Sequence, residues 1–463
     1  MDITIIGLGP GDSSLLTVEA REILQNSKEV YLRTRQHPLV SSLPAHLTLH
    51  SFDYLYEGEE EFSAVYEEIA QQILRLGRRP GGVIYAVPGH PLVGEESVRR
   101  TLALAKEEGL EVRIVVGLSF IEAALLSLEI DPLEGLQIVD ATVLASRLHP
   151  NLDPDLPALV GQLYNRRLAA EVKLTLMNLY PAEHPVTFVR KAGTTEAKTE
   201  TLPLHELDHL QDIDHLTSLY LPPLPSLSSV STFHDIVARL RAPGGCPWDR
   251  QQTHQTLSPH LLEETYEVLE ALDRDDDVAL REELGDLLLQ IILHTQIAAE
   301  AGEFTLAQVL ETIIAKIVRR HPHVFGSLEV ADGDEVLRNW QAIKRAEKPG
   351  EDKLLWGMPL SLPALTLAQR AQQRAKQEGL AWPKKEELLA EIEETLNRLR
   401  EPRDEEEATR ELGQLLFALA NLGRQLGVDA EGALRTATRH FGEDLASLQS
   451  DIAKSDDHGH PSQ

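Results

Sequence analysis

Basic residues are scarce: 44 Lys and Arg stand against 74 Asp and Glu in 463 residues, a formal net charge of −30. A chain of that sign has no nonspecific hold on nucleic acid or on an anionic membrane. Cysteine is nearly absent. Cys246 is the only one, which excludes an intrachain disulfide and fits a reducing compartment. No apolar run nears the ~18 residues of a membrane span. The opening MDITIIGLGPGD also lacks the basic start of a secretory signal. The expectation is a cytoplasmic protein with neither nucleic acid nor membrane as partner. The length allows two or three domains, each with its own core, and the 42% hydrophobic content is that of a globular chain.

In the first half, short apolar runs end in glycine turns and lead into helices. Residues 2–8 (DITIIGL) stop at Gly9-Pro10-Gly11-Asp12, and a helix is predicted from about Ser13, an acceptable N-cap, to Asn26. Residues 82–87 read as a strand, Pro88-Gly89-His90-Pro91 as a turn and 95–108 as a helix. Residues 113–116, Gly117-Leu118-Ser119 and 120–128 repeat that order. The alternation predicts a mainly parallel sheet covered on both faces, with ligands at the carboxyl ends of strands, where these turns lie. GLGPGD is not the dinucleotide fingerprint, which wants a third glycine and a ribose-binding acid. From about residue 171, VKLTLMNLYP, PVTFVRKAG, KTETLPL and LTSLYL read as strands. They predict a second α/β subdomain with a partly antiparallel sheet, and a cleft lined by Tyr164, Met177 and Asn178.

LPPLPSLSSV, residues 221–230, reads as a Pro/Ser bridge and the best domain boundary. Beyond it helical periodicity takes over. A short helix over 233–241 is broken by APGGCP, and Trp248-Asp249 follow. Two acidic helices come next, split by residues 273–277. They carry Glu264/Glu267 and Glu283/Asp286, each pair at i,i+3 and so on one face. The run 284–293 has Leu or Ile in nearly every direction, the pattern of a helix buried on all sides. Two such helices side by side bring four carboxylates together, costly unless compensated and suited to Mg²⁺. Glu-rich faces are usually only solvated, and the neighbouring Glu263 and Glu270 fit that reading.

A helix over 306–320 carries Lys316, Arg319 and Arg320 in its last turns, where basic residues complement the macrodipole. Lys316 and Arg320 share a face, which better suits gripping a polyphosphate. A helix over 334–347 places Trp340 and Lys344 on one face, and Trp340 is a candidate to stack on a base. His321 and His323 read as structural. From about 360 the scheme returns altered. Glu393-Glu394-x-x-Asn397 mirrors Glu263-Glu264-x-x-Glu267, and Glu411-Leu412-Gly413-Gln414 mirrors Glu283-Leu284-Gly285-Asp286. Two carboxylates have become amides, poor Mg²⁺ ligands, so the second copy reads as structural and the first as the chemical one.

Two resemblances rest on these stretches. GLGPGD with LLTVEA, PGHP, VVGLSFIEAA and NLYP…VTFVRKAG, in that order, resemble the tetrapyrrole methylase family. That resemblance implies S-adenosylmethionine in the cleft, near Pro10, Gly89, His90, Ser119, Tyr164 and Met177. Many members have Gly-Asp-Pro where this chain has Gly89-His90-Pro91. GGCPWDRQQTHQTL, LEETYEVLEAL, REELGDLLLQ, RRHPHVFG and NWQAIKRAEK resemble the MazG family of all-α nucleoside triphosphate pyrophosphohydrolases. This implies Mg²⁺ on Glu264, Glu267, Glu283 and Asp286, and substrate contacts at Lys316, Arg320, Trp340, Lys344 and Trp248. It also implies a homodimer.

The expected architecture is multidomain, an α/β methylase-like half with two subdomains followed by an all-α MazG-like bundle repeated twice. Its expected parts are 1–222, a linker at 223–231, 232–350, 351–455 and a disordered tail at 456–463. The expected reaction takes a nucleoside triphosphate to monophosphate and pyrophosphate, with Glu264 or Glu263 accepting the water proton. The alternatives are methyl transfer as the main activity over a structural helical half, or a regulator that binds nucleotide without cleaving it.

Overall fold

The computed structural model describes residues 2–56, 62–347, 358–359, 361–377, 379–400 and 404–457. The chain divides into two compact units, residues 1–247 and 248–463. In the first unit, strands β1 (Ile3–Gly7), β2 (Glu29–Leu32), β3 (Thr48–Ser51), β4 (Val83–Val87) and β5 (Val112–Val115) form a sheet in the order β3-β2-β4-β1-β5. All its pairings are parallel. Helices α1 (Val18–Asn26), α2 (Asp53–Tyr56), α3 (Phe62–Gly77) and α4 (Glu96–Glu108) connect the strands. The apolar run of β1 is explained by cover on both faces. Ile3 and Ile5 pack with Ile69 and Ile73 of α3, whereas Ile6 packs with Ala20 and Leu24 of α1.

Helix α5 (Phe120–Leu128) precedes a second sheet of β6 (Gln137–Asp140), β7 (Ala158–Gly161), β8 (Pro185–Arg190), β9 (Lys198–Pro203) and β10 (Thr217–Leu221). Its order is β6-β7-β10-β8-β9. The β6–β7 pairing is parallel and the others antiparallel, the partly antiparallel second subdomain expected from the sequence. Helices α6 (Ala141–Ala145), α7 (Arg166–Leu176) and α8 (Val230–Arg241) complete this unit.

Three expectations are corrected here. The stretch VKLTLMNLYP is not a strand. Its first part is the end of α7, whose Leu168, Ala169, Val172 and Leu176 are buried at helical spacing behind an Asn165 N-cap. The first helix does not begin at Ser13. Residues Ser13–Leu15 form a single 3₁₀ turn, and Thr17 caps α1 by accepting from Ala20 N–H. The Pro/Ser stretch is no free bridge. Leu224 N–H donates to Pro154 O at 2.8 Å, Ser228 N–H to Asp155 at 2.8 Å, and Ser229 Oγ to Asp153 at 2.9 Å. Two carboxylates thus fasten the stretch, and the division of the chain falls after Pro247, beyond the expected linker.

From α9 (Pro247–Gln251) onward the described chain is helical: α10 (His254–Asp273), α11 (Asp277–Glu300), α12 (Leu306–Arg320), α13 (Pro322–Phe325), α14 (Gly333–Glu347), α15 (Ala364–Gln377), α16 (Lys385–Leu399), α17 (Glu405–Leu426) and α18 (Ala430–Asp457). Helices α10 and α11 pack as one pair, and α16 and α17 as another. The expected boundary at 350/351 lies outside the described residues. So does the tail from 458, while α18 reaches Asp457.

Three turns of the first sheet meet backbone to backbone. A Cβ on Gly7 would lie 2.5 Å from Gly89 O and 2.8 Å from Gly117 Cα. Gly9 and Gly89 exchange backbone hydrogen bonds of 3.2 and 2.9 Å. No side chain fits there, so Gly7→Ala should cost about 1–3 kcal/mol. Denaturant unfolding followed through the first unit checks this, and wild-type stability would contradict it.

Candidate functional site

The acidic pair is organised by its connector. Asp275 has φ 54°, a left-handed turn, and Asp276 caps α11 by accepting from Val278 and Ala279 N–H. Residues 274–276 therefore reverse the chain within one turn and set the register of α10 against α11. That register brings Glu264 and Glu267 of α10 to Glu283 of α11, with one carboxylate oxygen of each within 4.8 Å of the others. Among the described residues, no Lys or Arg pairs with any of them. Burial, a hydrogen bond from Glu267 and the charges of Asp286, Glu267 and Glu263 raise the pKa of Glu264. Burial, then Glu267, Asp286, Glu282 and Glu270, raise that of Glu283. Asp286, the fourth expected ligand, lies outside the 4.8 Å set but acts on Glu264 and Glu283 by charge. All donors are carboxylate oxygens carrying uncompensated charge, a set that fits a hard divalent cation.

Glu263 stands apart from that group. Its carboxylate is 3.5 Å from His260 Nδ1, and the His260 ring meets Trp248 edge-on at 6.1 Å. Trp248 itself is 54% exposed. The expectation that α11 is buried on all sides is also corrected. Ile292, Leu293 and Ala298 are buried, whereas Leu284, Leu288 and Ile291 are exposed.

A second group joins α12 to α14. The guanidinium carbon of Arg320 and the ammonium of Lys344 each lie 5.2 Å from the centre of the Trp340 ring. Arg320 and Arg319 both donate to Glu347, and these bonds hold its carboxyl down to about 2. Lys316 is half-buried one turn earlier on α12 and has no ion pair among the described residues. Sequence reading missed Glu347. It lies on the same helical face as Trp340 and Lys344, at i+7 and i+3, which was the available signal.

In the first unit a cavity of about 920 Å³ opens at the carboxyl ends of the parallel strands, lined in part by Pro10, Gly89, His90 and Tyr164. Three other expected residues do not line it. Ser119 is buried as the N-cap of α5, bonded to Ile121 N–H and Glu122. Met177 is 41% exposed past the end of α7. Asn178 is tied to Leu148 and Leu174 carbonyls. All three followed from reading residues 172–181 as a cleft-lining strand or from the turn position alone.

Residues 252–325 match the model of the MazG nucleotide pyrophosphohydrolase domain, and residues 2–208 that of the tetrapyrrole (corrin/porphyrin) methylases. A Thermotoga maritima protein named nucleoside triphosphate pyrophosphohydrolase/pyrophosphatase MazG is 45% identical over 221 residues, covering 47% of this chain and 85% of its own. The chain belongs to the MazG family, fused to a tetrapyrrole methylase domain. An Escherichia coli K12 nucleoside triphosphate pyrophosphohydrolase is 41% identical over 223 residues, covering 46% of this chain and 85% of its own. The fusion as a whole is similar to the uncharacterized protein YabN of Bacillus subtilis, 40% identical over 449 residues, 95% of this chain and 91% of that one.

An ion pair in the cavity lining of the methylase domain was not among the sequence expectations. Arg33, just past the end of β2, lies 3.2 Å from Glu95, and both line the cavity. Burial pushes the Glu95 carboxyl up to about 7 against the pull of Arg33. His37, also in the lining, is pushed down to about 4 by burial, against its bond to Gly9 O and with help from the charges of Arg33 and His215. A depressed histidine stabilises the folded state above its unfolded pKa of 6.5 and loses that contribution as pH falls toward 4. His37→Gln keeps a donor for Gly9 O and cannot protonate. Its stability should therefore fall less than wild type between pH 6.5 and 4, by on the order of 2 kcal/mol. Parallel pH-dependent melts that superimpose would contradict this.

Proposed function

We propose that the MazG unit hydrolyses a nucleoside triphosphate to the monophosphate and pyrophosphate, using Mg²⁺, as a cytoplasmic homodimer. The observation that carries this reading is the cluster of Glu264, Glu267 and Glu283, with no basic partner among the described residues, within the stretch that matches the MazG domain. These three residues, with Asp286, would hold the ion. Once bound, Mg²⁺ neutralises phosphate oxygens and makes a nearby water more acidic.

The chain's own groups supply the remaining steps. Glu264, beside the ion, accepts the proton as the water oxygen bonds to the α-phosphorus. Glu263 is set aside for this role because it faces His260. The bond from the α-phosphorus to the bridging oxygen breaks, and Lys316 and Arg320 offset the charge of the departing pyrophosphate. Trp340 offers its ring to the base, and Trp248 is a second aromatic edge on the substrate side. The exposed stripe of Leu284, Leu288 and Ile291 on α11, with Ile313, Ile314 and Ile317 on α12, supports the homodimer. A second copy covering these residues would remove their apolar side chains from water. Among the described residues no helix is long and apolar enough to cross a membrane.

Glu267→Gln should cut Mg²⁺-dependent pyrophosphate release by at least about 100-fold. The same variant should melt higher than wild type in chelator, because one of three repelling carboxylates is neutral. Wild-type turnover in this variant would refute the assignment.

The cavity of the methylase domain carries a second reading, S-adenosylmethionine binding with methyl transfer to an acceptor. The Gly9–Gly89 turn pair at the strand ends, beside Pro10 and His90, is the observation that favours it. Calorimetric titration should give one site per chain for S-adenosylmethionine, competed by S-adenosylhomocysteine. No heat and no thermal shift would leave the cavity to a different ligand.

A further inference from the structure

The second helix pair repeats the first with its charges rewritten, and the structure records what replaced them. Glu264, Thr265, Glu267 and Val268 correspond to Glu394, Thr395, Asn397 and Arg398. Glu282, Glu283 and Asp286 correspond to Arg410, Glu411 and Gln414. At these positions the first pair carries five carboxylates and no basic group, and the second carries two carboxylates and two guanidinium groups.

Arg398 reaches across the pair. Its Nε donates to Glu411 at 2.6 Å, one terminal nitrogen to Glu394 at 2.9 Å and the other to Thr395 Oγ at 3.0 Å. Arg410 lies 3.6 Å from the other oxygen of Glu411. Glu411 is only 5% exposed, where an uncompensated carboxylate is costly. The fork of a guanidinium satisfies two acids at once and keeps its charge at any working pH.

We infer that Arg398 is a chain-borne cation that replaces the divalent ion in α16–α17, so that each chain has one divalent-cation site and a second helix pair that keeps its packing without any ion. The inference rests on the proposed ion site of α10–α11. It gives the second copy a definite task. α17 packs on α15 and α18, and Arg435 of α18 reaches Asp273 at the end of α10 at 2.9 Å. Through α18 the second pair thereby steadies the end of the first whether or not an ion is bound.

Backbone hydrogen exchange of the full chain, in chelator and in Mg²⁺, tests this. Exchange in α10–α11 should slow about tenfold at ten times the Kd. Exchange in α16–α17 should not change. Arg398→Met should speed exchange in α16–α17 about tenfold or more while leaving the Mg²⁺ response of α10–α11 intact. The reversal R398V/N397E/R410E/Q414D should add a Mg²⁺ response in α16–α17 and a second Mn²⁺ equivalent in calorimetry. Slowing of wild-type α16–α17 by Mg²⁺, two Mn²⁺ per wild-type chain, or unaltered α16–α17 exchange in Arg398→Met would each overturn the inference. Failure of α10–α11 alone to respond would instead refute the ion site on which it rests.

Discussion

Repulsion among Glu264, Glu267 and Glu283 is the constraint around which the helical unit is arranged. Packing α10 on α11 drives these acids together. Leu257 and Ala271 on α10, and Ile292, Leu293 and Ala298 on α11, are buried. Each buried Leu or Ile contributes about 1.5–3 kcal/mol. The carboxylates keep part of their hydration, so the apolar seam outweighs their mutual repulsion without removing it. What is left is a standing demand for positive charge. Under the proposed function a divalent ion meets that demand in the first pair, and in the second pair Arg398 meets it from within. An anionic protein can therefore handle an anionic substrate without a basic surface.

The methylase domain solves a different problem. Its cavity exists because Gly7, Gly89 and Gly117 let three strand-end turns touch through their backbones. Side chains there would hold the turns apart and fill the space a ligand needs. The Arg33–Glu95 pair and the neutral His37 stand in the same lining. A buried ion pair is weak evidence for stability.

Much of this was legible in the residues. Helices Phe120–Leu128 and Leu306–Arg320 begin and end where periodicity, caps and Pro322 place them. The i,i+3 acids were legible because a helix converts spacing directly into a shared face. The stretch VKLTLMNLYP failed because its Val, Leu and Thr satisfy strand propensity, and only packing against β8 and β10 chose the helix. Arg33 and Glu95 are far apart in the chain and carry no periodic mark. Their pairing depends on β2 and β4 lying side by side in the sheet. Glu347 lay on a readable face, yet its partners are on another helix.

Sequence alone determined the composition of the site: which acids share a helix face, which copy lost two of them, and where glycine turns interrupt strands. These follow from local geometry, which a 3.6-residue or two-residue period fixes without reference to the rest of the chain. Tertiary structure alone decided which faces meet. The α10–α11 register admits Glu283 and leaves Glu263 beside His260, and the α16–α17 contact delivers Arg398 to Glu411. The physical reason is that charge acts through distance in space, and the distance between two helices is set by the apolar residues between them rather than by the acids themselves.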